Sequence, residues 1–181
     1  MRPLMYLLLI ALGLSVCPDM LAAAEGHWGT LGVRGGFAVD TKDKGATQYE
    51  AFVTYILPWE LRNRAGWGIS TKVGLTAGAL RSQGEYGFIG SIGPSFGLGN
   101  PGFPVEIDLG ISGAVLNRDR FGTRDYNGNE QFISHAEISY RVLRDFGLSY
   151  RFQHMSNAGF NGSPNPGLNM HLFGANWYFD R

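Results

Sequence analysis

The 181-residue chain has a single cysteine, no net charge and, beyond its first two dozen residues, no long apolar run. Each lack removes a class of protein. Fifteen Lys and Arg balance fifteen Asp and Glu, so net charge draws neither nucleic acid nor an anionic surface. No window of 18 apolar residues follows the leader, which excludes a helical membrane span. No Cys/His spacing or carboxylate cluster has the pattern of a metal site, and no metal or cofactor is expected. The one cysteine, Cys17, lies in a leader with a bacterial secretory pattern: Arg2 gives the positive start, Met5 to Val16 the apolar core, and Leu21-Ala22-Ala23-Ala24 a small-residue cleavage site. Bulky Val16 before Cys17 and Pro18 after it argue against lipidation. Removal of residues 1–24 leaves a chain without cysteine, which no disulfide can support.

What remains, residues 25–181, has the length of one domain. Glycine is abundant, at 27 residues, and has no collagen-like period. Combined with 13% aromatics, it suits strongly curved strands around a crowded interior. Eight alternating segments can be drawn. The first runs from Trp28 to Val39, with Leu31, Val33, Phe37 and Val39 opposite Gly32, Arg34, Gly36 and Ala38. The second sets Tyr49, Ala51, Val53, Tyr55 and Leu57 against Gln48, Glu50, Phe52, Thr54 and Ile56, and Pro58 is expected to stop it. The others span Trp67–Ala79, Tyr86–Leu98, Val105–Val115, Phe132–Val142, Phe146–Ser156 and Asn169–Phe179.

Alternation alone also fits a secreted soluble barrel. Three features favour a membrane. The segments are ~9 to 12 residues long, enough to cross a bilayer when tilted, whereas soluble strands average about 5 to 6. Trp28, Tyr49, Tyr55, Trp67, Tyr86, Trp177 and Tyr178 lie near segment ends, as aromatic girdles would. The second face mixes Gly, Ser and Thr with charges of both signs (Arg34, Glu50, Lys72, Glu106, Asp108, Glu137, Arg141), the composition of a small, filled, polar interior. The expected fold is an eight-stranded antiparallel transmembrane β-barrel of the bacterial outer membrane. With both ends in the periplasm, the connections after the first, third, fifth and seventh strands are extracellular. Those after the first, fifth and seventh are indeed long and polar.

Chemistry concentrates in FGLSYRFQHMSNAGFNGSPNPGLN, residues 146–169. Phe146, Leu148, Tyr150, Phe152, His154 and Ser156 share one strand face, apolar for four positions and then ending in a base and a hydroxyl. Two residues apart on one face, these groups can come within hydrogen-bond reach, the first requirement for an activated serine. Equally, such a pair can simply mark where a strand leaves the bilayer. Asn157, Asn165 and Asn169 add polar groups to a loop punctuated by Gly159, Gly162, Pro164, Pro166 and Gly167.

Through His154-Met155-Ser156-Asn157-Ala158, then Asn165-Pro166-Gly167-Leu168 and a closing aromatic strand, the chain resembles the PagL-type lipid A 3-O-deacylases. The resemblance implies an outer-membrane esterase acting on the 3-O-linked hydroxyacyl chain of lipopolysaccharide, with a Ser-His-Glu triad facing the membrane. Carried over, Ser156 is the nucleophile and His154 the general base. Where the family has its glutamate, this chain has Asn169, which can orient an imidazole but offers it no charge. Glu137 falls on the inward face of the sixth strand. Asp145 lies at the far end of the seventh, roughly 30 Å away at ~3.3 Å per residue.

Backbone N–H groups of Asn157, Ala158 and Gly159, with the side chains of Asn157 or Asn165, are the candidate oxyanion donors. The acyl chain would lie along Tyr150, Phe152 and Phe173. His171 shares their face and is expected opposite His154, in a girdle or headgroup role. Arg118, Arg120 and Arg124 either meet lipid A phosphates or belong to an ordinary solvated loop interspersed with Asp119, Asp125 and Glu130. The expected partners are lipopolysaccharide and outer-membrane lipids; a homodimer is left open. A non-catalytic barrel and a phospholipase are the rival functions.

Overall fold

The computed structural model describes residues 25–179, so the leader lies outside the described residues. Eight antiparallel strands close into a barrel: β1 (His27–Ala38), β2 (Thr47–Arg62), β3 (Gly68–Ser82), β4 (Glu85–Gly99), β5 (Val105–Leu116), β6 (Glu130–Arg141), β7 (Phe146–Ser156) and β8 (Leu168–Tyr178). Each strand pairs with its neighbours in sequence, and β8 returns to β1 with Thr30 opposite Tyr178. Closure leaves no free sheet edge. It also brings the beginning of β1 and the end of β8 to one end of the barrel, with the short turns 63–67, 100–104 and 142–145. The connections 39–46, 83–84, 117–129 and 157–167 gather at the other end, the loop end.

Pro58 does not stop β2, which runs on to Arg62. The ladder to β3 passes from Ile56 opposite Lys72 directly to Glu60 opposite Ser70, so the residues between bulge out. Proline has no N–H to give a ladder and is tolerated where the ladder is interrupted. The Trp59 carbonyl in the bulge is satisfied by the Thr71 hydroxyl at 2.7 Å. Because β2 is long, the connection that follows is a tight turn. The β3–β4 connection is tighter still: Gln83 (φ 50°) and Gly84 (φ 83°) form a two-residue hairpin turn with both residues in the left-handed region that such turns require.

The outward face is apolar along the strands, with Leu31, Val33, Leu75, Ile92, Phe96, Leu109, Ile111, Leu148 and Phe173 all exposed. The middle of the interior is a charge network. Arg34 pairs with Glu50 and, at 3.1 Å, with Glu137; Arg151 meets the same Glu137 oxygen at 2.6 Å. Lys72 lies between Glu106 and Asp108, and Asp108 also faces His135 at 3.1 Å.

The expectation of a polar interior holds there, and buried Gln48, Gln131 and Gln153 continue it among apolar neighbours nearer the loops. Toward the loop end the inward positions turn apolar, as Leu80, Ile89, Leu116, Ile133, Met155, Leu168, Met170 and Leu172 close around Phe121 and Tyr126 from the 117–129 loop. The loop turns inward as a small ribbon in which Arg120 and Phe121 pair with Asp125 and Arg124. Buried on all sides, Phe121 and Tyr126 anchor a segment that would otherwise be solvated, and hydrophobic burial is worth roughly 2 kcal/mol or more for each.

Arg124 ties three loops together. Its guanidinium meets buried Asp43 at 2.6 Å in the 39–46 loop and donates to the Gly167 carbonyl at 2.9 Å. Asn127, at φ 56°, donates to the carbonyls of Asn161, Gly162 and Pro164. Burial raises the Asp43 carboxyl above its ordinary value, against the opposing pull of Arg124. Arg124→Ala is therefore expected to loosen the loop end by about 3–5 kcal/mol, since it strands a buried acid. The sign follows from the raised value. The penalty is absent where Asp43 is protonated in both states, below the ordinary carboxylate range, and grows as pH rises through the raised folded-state value. Limited proteolysis of the variant's loops across pH measures it, with faster cutting expected at neutral than at acidic pH.

Candidate active site

Strand pairing assembles the site. On the outward face of β7, His154 is followed two residues later by Ser156, because the alternation of the strand places both there. On the adjacent strand β8 the register sets Asn169 directly opposite His154. The imidazole Nδ1 and the Asn169 Oδ1 are 2.7 Å apart. An amide oxygen only accepts, so Nδ1 carries the proton and Nε2 is left with a free lone pair, the tautomer of a general base.

His171, expected opposite His154, instead lies opposite Phe152, one pleat nearer the barrel middle, and Asn169 takes the place across from His154. There its Nδ1 meets the Tyr150 hydroxyl at 2.6 Å, and its ring packs among Phe37, Tyr150 and Phe152. Phe173 extends this patch through Phe37 and Tyr150. The apolar surface below His154 is thus continuous across β7, β8 and β1.

Among the described residues no hydrogen bond joins Ser156 to His154; the two side chains share a face without yet touching. Across β7 the other neighbour, β6, places Ser134 opposite His154 and Phe132 opposite Ser156. Phe132 packs on Phe160 with ring centroids 5.2 Å apart. Phe160 is 80% exposed at the rim of the site.

The oxyanion candidates divide by geometry. Asn157 is buried and turned inward, its amide donating to the Asn127 carbonyl at 3.1 Å and its Oδ1 accepting the Gly159 N–H at 2.8 Å. This arrangement engages the Gly159 N–H and the inward-turned Asn157 amide within the loop. It leaves the N–H groups of Asn157 and Ala158, the latter at φ 51°, at the sharp turn just past Ser156. Asn165 is exposed on the loop and hydrogen-bonds to no described residue.

The three loop arginines are all occupied within the chain: Arg118 with Glu85 and Arg120 with Asp125, each at 2.6 Å, and Arg124 with Asp43. Arg124 braces the buried side of the loop end, whereas Arg118 and Arg120 pair at the exposed surface. Among the described residues no group of three His, Cys, Asp or Glu could hold a metal ion.

Gly167 makes room for the imidazole. A Cβ there would lie 2.6 Å from Cε1 of His154, well inside contact distance. Gly167→Ala is expected to displace the ring while leaving the strands intact, and a misplacement of about 1 Å costs about a hundredfold in rate. Steady-state turnover beside an unchanged far-UV spectrum would check it.

Asp40 is the residue that the sequence reading misses. It lies two residues past the end of β1, and its Oδ2 accepts a hydrogen bond from the Asn169 Nδ2 at 3.0 Å. Nothing local distinguishes it from other loop acids. Only closure of the barrel, which brings β1 beside β8, makes it a neighbour of Asn169.

A model of the lipid A 3-O-deacylase (PagL) family matches residues 47–178, most of the barrel and both parts of the site. The chain belongs to this family. It is accordingly a hydrolase of the lipid A deacylase class. The crystal structure of the outer membrane enzyme PagL superposes with a TM-score of 0.71 at 15% identity, over 83% of this chain and 99% of that one. The outer membrane protein Ail of Yersinia pestis is more distant, with a TM-score of 0.46 at 10% identity over 83% of this chain and 99% of Ail. No curated protein matches the chain.

Proposed function

We propose that the chain removes the 3-O-linked hydroxyacyl group of lipid A by a serine-esterase mechanism in which Ser156 is the nucleophile and His154 the base. The observation that carries this reading is the 2.7 Å contact between His154 Nδ1 and Asn169 Oδ1, which holds the imidazole with Nε2 unprotonated on the same outward face as Ser156. Rotation of the serine side chain brings its hydroxyl toward Nε2; catalytic hydrogen bonds are commonly loose before substrate binds.

Ser156 Oγ attacks the ester carbonyl as His154 takes its proton. The tetrahedral oxyanion forms beside the N–H groups of Asn157 and Ala158. Collapse breaks the bond to the sugar oxygen, which receives the proton from His154 and leaves. Water, deprotonated by His154, then attacks the acyl-serine; collapse breaks the bond to Ser156 Oγ, which takes the proton back from His154, and the hydroxy-fatty acid departs.

The outward face is the membrane face, so the ester reaches Ser156 from the lipid layer. Its acyl chain lies along Phe152, Tyr150 and Phe173, with Phe132 and Phe160 on the other flank. Barrels of this kind place long loops outside the cell, which puts the site at the outer leaflet.

The test uses purified enzyme with lipopolysaccharide in mixed micelles. Release of 3-hydroxy-fatty acid should be lost in Ser156→Ala and kept in Ser134→Ala, the other hydroxyl beside His154. The opposite pattern would move the nucleophile to β6.

A further inference from the structure

We propose that Asp40 supplies, through the amide of Asn169, the negative charge that the site's own third residue lacks. This rests on the Ser156–His154 reading and extends it to a positioning residue. Asp40 lies outside the stretch that matches the family, residues 47–178.

Three observations converge. First, the hydrogen bonds form a directed chain: His154 Nδ1 to Asn169 Oδ1 at 2.7 Å, then Asn169 Nδ2 to Asp40 Oδ2 at 3.0 Å. Both ends fix the amide orientation. Flipped, Asn169 would point its oxygen at a carboxylate and its donors at a donor. Second, Asp40 is at the N-cap of the short 3-10 turn Thr41–Asp43, where an aspartate ordinarily accepts a backbone N–H, yet its side chain makes no cap bond. The carboxylate is turned to Asn169 instead. Third, the contact is pinned by the backbone: Val39 N–H donates to the Asn169 carbonyl at 2.9 Å, holding the end of β1 against the start of β8. Among the described residues the one hydrogen bond of the Asp40 side chain is that from Asn169.

No proton travels along this chain. The carboxylate polarises the Asn169 amide, increasing the negative character of Oδ1 just as His154 becomes an imidazolium. A charge-assisted bond is roughly twice as strong as a neutral one. The arrangement thereby divides the work of a triad acid between two residues: Asn169 orients the ring, and Asp40 supplies charge one amide farther away.

Asp40→Asn keeps shape and an acceptor oxygen but removes the charge. Its expected effect is a fall in kcat of about ten- to a hundredfold, the size of one charge-assisted hydrogen bond, with KM unchanged. In Asn169→Glu, where a carboxylate adjoins the imidazole directly, the same Asp40→Asn change should no longer lower kcat.

Two results would overturn the proposal: full activity in Asp40→Asn, or an equal loss in both backgrounds, which would mean that Asp40 only shapes the loop. Far-UV circular dichroism of all variants secures the fold. Ser156→Ala keeps the two readings apart: if it remains active the serine mechanism fails, whereas an inactive Ser156→Ala beside an unaffected Asp40→Asn sinks only the role of Asp40.

Discussion

Replacing Ser156 or His154 by alanine lowers kcat for 3-hydroxyacyl release by about three to four orders of magnitude or more, and the double variant is hardly worse than either single one. Groups that act as a unit fail as a unit: without the serine there is no acyl-enzyme, and without the imidazole its proton has nowhere to go. Single-turnover release from lipopolysaccharide micelles measures the chemical step. KM should change little, because the acyl chain is held by the aromatic surface rather than by the pair. Neither substitution opens a cavity, since both side chains are half-exposed on the outer face of β7. The barrel should therefore unfold at the same denaturant concentration as the parent. Asn169→Ala is milder, because the ring keeps its place against Gly167 and loses only its orienting acceptor.

Glu137→Ala is expected to have the largest effect on stability and none on the chemical step. Glu137 accepts from Arg151 at 2.6 Å and from Arg34 at 3.1 Å, and both guanidinium groups are almost fully enclosed. Removing the shared carboxylate leaves two cations facing each other, with Glu50 still beside Arg34. Breaking a buried pair in this way costs about 3–5 kcal/mol. Urea unfolding of the detergent-folded barrel is the measurement, and Glu137→Gln, which keeps two acceptor contacts without the charge, should fall between parent and alanine. Where the variant is folded, its turnover should match the parent. The result bears on the site as well: it separates Glu137, an acid on the strand next to the motif, from the machinery on the other side of the barrel wall.

The period-two pattern makes the barrel readable in the sequence, because on a closed sheet each residue has only two directions to face. Arg34, Glu50, Lys72 and Glu137 were placed inside on that basis, and Leu31, Val33 and Phe96 outside. Pro58 misled because a proline in a strand argues for an end, and no local signal distinguishes an end from a bulge.

The apolar plug was harder to see. Ile89, Ile133, Met155, Met170 and Leu172 interrupt the polar face near the loop end, yet what they pack against comes from a loop, and alternation carries no information about loops. The same limit explains the site. His154, Ser156 and Asn169 belong to neighbouring strands and a motif, so they were legible. Asp40 is separated from Asn169 by 129 positions and meets it only where the last strand closes on the first. The ion-pair partners of Arg118 and Arg124, Glu85 and Asp43, are likewise set by folding, 33 and 81 positions away in the chain.

The central claim is that this barrel cuts one ester of lipid A through Ser156. Mass spectrometry of lipid A and phospholipids from Gram-negative cells expressing the parent or Ser156→Ala tests it most directly. The account predicts lipid A lighter by a single 3-hydroxyacyl chain with the parent, intact lipid A with Ser156→Ala, and unchanged phospholipids in both. Lipid A of full mass with the parent, or the same loss with Ser156→Ala, would contradict it.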